Sequence, residues 1–371
     1  GKNPGGDIVN IALVISSLSP GGAENVLALI ADRLARRGHG VHIVTLDDAP
    51  PGAPLHPSVT CHQLGLTRPA ANIMQGIMAN LRRVRALRRT ILSLAPDAVL
   101  SFMDTTNVLT LLAVGRRLPV AVAERIHPVR RHIGPVWSRL KHWSYRRAAV
   151  VAVQTQDMAD HFAGRFPCTI IPNPVPPCPA TAENRPDRPR VIAMGRLVPQ
   201  KGFDLLLRAF SGLAKKFPVW DLFIYGEGPQ RPELETLAAT LGLDGRAFLP
   251  GWTQTPRAEL AQAEVFALAS RYEGFPNALC EAMACGLPVV ATDCPSGPRT
   301  IIRQDVDGLL VPPEDTAALA DALARLMAEP GLRARLGHRA KDISRRFQVD
   351  MVIDMWENLL QALARPGTTG N

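Results

Sequence analysis

Residues 265–286 read VFALASRYEGFPNALCEAMACG, and LPVVAT follows at 287–292. The opening VFALAS has the continuous apolar character of a strand buried on both faces, as in a parallel sheet. Asn277 suits a helix N-cap and Gly286 a C-terminal stop, which frames a helix between them. A second apolar run, LPVVAT, comes directly after. Strand, loop, helix and strand in that order make a crossover unit with parallel strands and the helix laid across one face.

The same rhythm extends outward. RVIAMGR, DLFIYG, AFLPG and GLLVP read as further strands, with FDLLLRAFSGLAKKF, PELETLAATLGL and TAALADALARLMAE at helical spacing among them. The first half repeats the pattern in IVNIALVIS, VHIVTL, DAVLSFM, TNVLTLLAVGRR, PVAVAE and AAVVAVQT, and Gly38 stops the first helix, AENVLALIADRLARRG. PNPVPPCPATAENRPDRP, at 172–189, is proline-dense and aperiodic, and reads as a semi-rigid linker. The expected organisation is a domain at 1–172, a linker at 173–189, a domain at 190–345, and a helix and tail at 346–371 that can pack back on the first domain. The fold class is α/β, with two doubly wound, Rossmann-like domains facing a central cleft at the carboxyl ends of both sheets.

Composition narrows the function. The chain has 371 residues, 46% hydrophobic and 20% charged, which is globular and too long for one small domain. No apolar run reaches the roughly 18 residues of a membrane-spanning helix. GKNPGG at the start reads as a flexible leader, and no signal peptide is visible. The six cysteines are scattered without a C-x-x-C pair, a pattern that favours reduced cytosolic thiols over a disulfide framework or a zinc site. The net charge of +9 is lopsided: 1–172 holds 20 Lys+Arg against 10 Asp+Glu, and 173–371 holds 22 against 23. The basic half is therefore expected to meet something anionic.

Chemistry gathers in the loops after strands. In SPGGAE, Gly21 and Gly22 open a helix whose N-terminus favours negative charge, although neither a dinucleotide fingerprint nor a Walker loop is present. In GRLVPQKG, Arg196 and Lys201 can offset the charge that grows on a departing diphosphate. Gly226 and Gly228 in YGEGP would let a nucleotide lie close to the backbone, and Leu249 and Trp252 in FLPGWTQ would face a base edge. The E-x7-E spacing of Glu273 and Glu281 separates two carboxylates too far to share one proton, so they suit the hydroxyls at two ends of a polyhydroxylated ligand. Amide groups of Gly274, Phe275, Asn277 and Ala278, beside Pro276, would meet the anionic middle.

GGAE, GRLVPQKG, YGEGP, YEGFPNALCEAMACGLPVVATD and DGLLVPPED, in this order, resemble the retaining GT-B glycosyltransferases of family 4, the glycosyl-group-1 transferases. The resemblance covers nearly the whole chain. It implies that Glu273 holds the donor sugar hydroxyls, and that Gly274, Phe275, Pro276 and Asn277 line sugar and diphosphate. It further implies that Glu281 binds ribose, that Arg196 and Lys201 contact the diphosphate, and that Gly21 and Gly22 close over it. Such enzymes retain the anomeric configuration without a clear protein nucleophile and need no catalytic metal or other cofactor. The only D-x-D, Asp305–Asp307, sits in a turn and reads as structural. Some relatives carry a histidine near the donor sugar. His127 in AERIHPVRR is the candidate, with Glu124 and Arg125 competing for that place.

The basic half points to the acceptor. Over about 70–93, Ile73, Ile77, Leu81, Val84, Leu87 and Ile91 follow helical spacing, surrounded by Arg82, Arg83, Arg85, Arg88 and Arg89. Such a helix suits an anionic membrane surface, and its arginines suit a lipid-linked diphosphate. RRHIGPVWSRLKHWSYRR adds Arg130, Arg131, Arg139, Lys141, Arg146 and Arg147, with Trp137, Trp143 and Tyr145 as interfacial aromatics. SFMDTTNV offers Asp104 and Asn107, beside Thr105, as acceptor contacts. The expected partners are a nucleotide sugar, most simply a UDP-sugar, a polyprenyl-diphosphate-linked glycan, and the inner face of the cytoplasmic membrane. The competing readings are a soluble or lipopolysaccharide-core acceptor, and a nucleic-acid-binding protein. The last lacks any recognition helix, RNP motif or zinc finger.

Overall fold

The computed structural model describes residues 7–19, 21–52, 54–67, 71–126, 133–178 and 186–365. The chain divides into two compact units: Gly1–Asn173 with Asp350–Asn371, and Pro174–Val349.

The first unit holds β1 (Asn10–Ile15), α1 (Gly22–Arg36), β2 (Gly40–Thr45), β3 (Thr60–Gln63), α2 (Ile73–Ser93), β4 (Ala98–Phe102), α3 (Asp104–Val114), β5 (Val120–Ala123), α4 (Pro135–Tyr145), β6 (Val150–Val153), α5 (Gln156–Phe162) and β7 (Cys168–Ile170). Its sheet runs β3-β2-β1-β4-β5-β6-β7, and every pairing is parallel. The edge strands β3 and β7 carry no continuous apolar run, which is why sequence patterning passes over them. Alternate residues of β1 serve opposite faces: Ala12 and Val14 join the core that includes Leu87 and Ile91 of α2. α1 ends in a left-handed glycine closure, with Gly38 at φ 95° and its amide on the Ala35 carbonyl.

The second unit holds β8 (Arg190–Met194), a 3-10 turn (Pro199–Lys201), α6 (Phe203–Ala214), β9 (Asp221–Tyr225), α7 (Arg231–Thr240), β10 (Ala247–Gly251), α8 (Pro256–Ala261), β11 (Val265–Leu268), α9 (Asn277–Ala284), β12 (Val289–Thr292), α10 (Pro298–Ile301), β13 (Leu309–Val311), α11 (Thr316–Ala328), α12 (Pro330–Ala340) and α13 (Ile343–Arg346). Its parallel sheet runs β10-β9-β8-β11-β12-β13. Val191 and Ala193 of β8 pack with α6, α7 and α11, while Ile192 and Met194 pack with α8 and α9. Burial on both faces explains the unbroken apolar strands.

α14 (Val349–Ala364) returns the chain to the first unit. Trp356 is fully buried 6.1 Å from the Phe102 ring, and Glu357 binds Arg37 and, at 2.8 Å, His39. Among the described residues, no helix is long and apolar enough to cross a membrane.

Two expectations, the Asn277 cap and the reduced cysteines, need correction. The N-cap of α9 is Pro276, and Asn277 is the first helical residue; Gly286 at φ 79° does terminate the helix. Within the proline-dense stretch, residues 174–178 are tied to the second unit. Val175 is buried and its amide bonds the Phe347 carbonyl at 2.9 Å, and the Pro177 carbonyl accepts from Arg257 at 3.4 Å. The cysteines are not all thiols: Cys178 and Cys285 are joined as a disulfide, although 107 residues separate them in sequence. Distance along the chain hid that pair.

Candidate functional site

In a doubly wound sheet, ligands bind outside the carboxyl ends of the two strands where the strand order reverses. In the second unit the chain lays β8, β9 and β10 to one side, then returns to place β11 on the other side of β8. The reversal therefore lies between β8 and β11. The loops leaving these strands are 195–202 and 269–276, and they carry Arg196, Lys201 and Glu273.

These loops are laced together. The Arg271 guanidinium binds Asp204 at 2.9 and 2.8 Å, the Pro199 carbonyl at 2.7 Å and Glu314 at 3.0 Å. The Arg271 amide bonds the Gln200 carbonyl at 2.8 Å, and Gln200 returns a bond to the Tyr272 carbonyl at 2.9 Å. Gly202 makes the approach possible. It sits at φ 62°, and a Cβ there would lie 2.0 Å from the Ala269 carbonyl oxygen. Lys201 consequently reaches Glu273, Nζ to Oε1 at 2.6 Å. Ser270 donates to the same oxygen at 2.6 Å, and Glu273 is only 4% exposed. Arg196 is exposed and has no ion pair among the described residues.

Glu281 stands on α9, half-buried and without a hydrogen-bond partner among the described residues. Burial raises its carboxyl above the usual range, against the opposing charge of Arg257. A half-buried carboxyl with no hydrogen-bond partner among the described residues is suited to accepting hydrogen bonds from the hydroxyls of a ligand. The start of α9 faces this same edge, where its first-turn amides and dipole favour an anion.

Other expected contacts take different positions. The Phe275 side chain is core, stacked edge-on against Phe347 at 5.2 Å, and anchors the turn. Ala278 also packs partly on that core. The Gly274 carbonyl accepts from Ser296 at 3.4 Å, and Gly297 presses on Gly274 and Pro276. A Cβ on Gly226 would lie 1.9 Å from the Gly195 oxygen, and one on Gly228 would lie 2.3 Å from the Leu197 oxygen. Their missing side chains are needed by backbone packing. Leu249 packs into the core, whereas Trp252 is 56% exposed. Asp307 bonds Arg303, at 2.7 Å to its amide and 2.6 Å to its guanidinium, and so holds its turn.

In the first unit the order reverses between β1 and β4. Gly21 and Gly22 follow β1, and the Glu24 carboxylate folds over Gly21. Asp104 opens α3 after β4. Lys141 bridges Asp104 at 2.5 Å and Glu124 at 2.9 Å, and the Tyr145 hydroxyl also donates to Glu124. Burial pushes the Glu124 carboxyl up to about 7, with Lys141 opposing and the Asp104 charge adding to the rise. Burial also disfavours charge on Lys141, but two carboxylates outweigh it and hold the ammonium. Asn107 is fully buried, donating to the Ala123 carbonyl at 3.2 Å and the Tyr145 hydroxyl at 3.1 Å. It supports Tyr145 and is not a ligand contact. Arg125 is buried over the Phe102 ring and bonds Asn173 at 2.9 Å. His127, Arg130 and Arg131 lie outside the described residues.

α2 departs from an ordinary amphipathic helix. Only Leu87 and Ile91 of its stripe are buried, while Ile73, Ile77 and Leu81 are 84%, 51% and 44% exposed, joined by Met74 and Met78. Arg82, Arg85, Arg88 and Arg89 are exposed without an acidic partner among the described residues. Arg83 instead bonds the Leu66 carbonyl at 2.9 Å and Asn80 at 2.9 Å. Of the second cluster, Trp143 is exposed under the Arg147 guanidinium, but Tyr145 and Lys141 belong to the buried network.

Residues 180–343 match the family model for glycosyl transferases group 1, and residues 21–205 match that for the glycosyl transferase 4-like domain. An exopolysaccharide phosphotransferase of Streptomyces coelicolor is 41% identical over 47% of this chain and 18% of its own length. The chain spans only about half the length of the next two relatives it matches, 50% and 48%. A Campylobacter jejuni alpha-1,4-N-acetyl-D-galactosaminyltransferase, whose acceptor is named as a PP-undecaprenol-linked glycan, is 26% identical over 95% of this chain and 98% of its own. Anabaena Alr3699/HepE, solved with UDP and glucose, superposes with a TM-score of 0.78 at 20% identity, covering 95% of this chain and 100% of that one.

Proposed function

The chain belongs to the glycosyl transferases group 1 family and has the GT-B fold, and from that premise we propose that it moves a sugar from a nucleotide-sugar donor to a lipid-diphosphate-linked glycan. The observation that carries the donor half is the set of groups on one strand-reversal edge: Glu273 held by Lys201, Arg196 exposed without an ion pair, and Glu281 half-buried without a hydrogen-bond partner, among the described residues. Glu273 grips sugar hydroxyls, Glu281 the ribose, and Arg196 and Lys201 the diphosphate between them. UDP is the favoured nucleotide, since Alr3699/HepE was solved with UDP and glucose.

Transfer proceeds with retention. The bond from the anomeric carbon to the diphosphate oxygen breaks, and the acceptor oxygen bonds the same face. The acceptor's proton passes to the departing phosphate oxygen. Arg196 and Lys201 offset the charge that grows there, so the step calls on no bound metal. The acceptor half rests on α2, which presents five apolar side chains beside four unpaired arginines. That face suits the anionic inner surface of the cytoplasmic membrane, with the enzyme bound peripherally. The Campylobacter relative's PP-undecaprenol acceptor points the same way.

The test is a panel of UDP-glucose, UDP-galactose, their N-acetylated forms and GDP-mannose, scored first by thermal shift. The tightest donor is then offered undecaprenyl-diphosphate glycans, with the anomeric configuration read by NMR coupling. Glu273→Ala should abolish transfer in a protein that melts normally. Undiminished turnover in that variant, or an inverted product, would sink the mechanism.

A further inference from the structure

Glu273 is oriented by a brace that motif reading does not reveal. Its Oε1 accepts two hydrogen bonds, from Ser270 Oγ at 2.6 Å and Lys201 Nζ at 2.6 Å. Oε2 has no hydrogen-bond partner among the described residues. Ser270 is fully buried at the end of β11. Its own backbone is fixed from the neighbouring strand: Thr292 Oγ1 donates to the Ser270 carbonyl at 2.5 Å and to the Leu268 carbonyl at 3.4 Å. A hydroxyl-to-carboxylate bond of this length is charge-assisted, so it holds orientation as well as distance.

We propose that Ser270 is a positioning residue that locks one oxygen of Glu273 and leaves Oε2 alone to meet the donor sugar. The inference rests on the donor reading above and names a residue that reading does not contain. The two anchors of Oε1 are not equivalent. Lys201 is 21% exposed on its side chain and lies on the loop assigned to the diphosphate, so a bound donor competes for its ammonium. Ser270 has no such competitor. It keeps the carboxylate aimed when Lys201 turns to phosphate. Without it, Glu273 follows Lys201, and the sugar loses its acceptor while the nucleotide keeps all its contacts.

The role predicts a split that a merely structural residue would not produce. Calorimetry would compare the tightest nucleotide sugar of the panel with its own nucleoside diphosphate, on wild type, Ser270→Ala and Ser270→Thr. Ser270→Ala should weaken the nucleotide sugar about tenfold, the effect of one hydrogen bond to a charged group, and leave the diphosphate within about twofold. Ser270→Thr keeps the hydroxyl and should recover most of the sugar's contribution. Equal weakening of both ligands, or of neither, overturns the proposal. Ser270→Cys preserves volume with a weak donor, and it serves if the alanine variant does not fold; wild-type affinity for the sugar nucleotide in that variant is equally fatal. Glu273→Ala separates the two levels. If it leaves the preference for sugar nucleotide over diphosphate intact, the donor assignment itself falls. If it abolishes that preference while Ser270→Ala does not, only the Ser270 role falls.

Discussion

Replacing Lys141 by Met removes an ammonium that bridges Asp104 and Glu124. The side chains of the three residues are 14%, 7% and 1% exposed, so the ion pairs are largely desolvated. Breaking a buried pair by deleting one partner costs about 3–5 kcal/mol. Here two carboxylates remain, and the cost depends on pH. Glu124 already has a folded-state value of about 7, above the ordinary 4.5 of a glutamate. A carboxyl raised in this way contributes stability below 4.5, and that contribution is lost as pH rises through 7. Without the ammonium, the Glu124 carboxyl loses the charge that opposes its rise and takes up a proton instead of staying charged. The variant should therefore lose about 3–5 kcal/mol at pH 8 and clearly less at pH 5.5, where Glu124 is protonated in both proteins. Urea titrations at the two pH values, followed by hydrogen exchange in peptides from α3 and α4, isolate the first unit from the second. A loss below about 1 kcal/mol at pH 8, or the same loss at both values, would refute this account of the cluster.

Reducing the Cys178–Cys285 disulfide reopens a loop whose ends are 107 residues apart, and should cost the second unit about 2–4 kcal/mol in a urea titration; an unchanged midpoint with two extra alkylated thiols by mass would contradict it. Changing Arg82, Arg85, Arg88 and Arg89 together to Gln should weaken sedimentation with anionic vesicles by about a thousandfold, at about 1 kcal/mol per arginine, and retained binding would move the membrane face elsewhere. Gly202→Ala should cost stability and also weaken nucleotide-sugar binding at least tenfold, whereas Gly242→Ala, at φ 68° with nothing within 4 Å, should cost only the left-handed strain of about 1 kcal/mol; matching behaviour of the two variants would remove Gly202 from the site.

The sheet cores were legible because burial on both faces writes itself as apolar runs, as in β8 and β11. The edge strands β3 and β7 were not, since Thr60 and Gln63 stand exposed and the half-buried positions hold His62 and Thr169 as readily as aliphatic residues. Glu273, Lys201, Arg196 and Glu281 could be chosen because each stands in a local motif. The Lys141 network could not, because residues 37 and 17 positions apart meet only after α4 folds against the ends of β4 and β5. The arginines of α2 looked alike in sequence. Only the fold sets Arg83 apart, turned onto the Leu66 carbonyl, from the four that stay free at the surface.

The glycines show how one sequence feature serves different ends. Each marks a strand end where backbones come too close for a Cβ, and the partner atom decides what the closeness achieves. At Gly226 and Gly228 the partners are the Gly195 and Leu197 carbonyls, so loops 195–198 and 226–228 close on each other. At Gly202 the partner is the Ala269 carbonyl, on the far side of the strand reversal. Closeness there brings a cation from one loop onto a carboxylate of the next. A glycine-rich turn in a parallel sheet is thus a sign of packed loops first. It marks a binding site when the packed loops belong to the two strands at which the order reverses, because those loops alone can carry charges from two separate crossover units into contact.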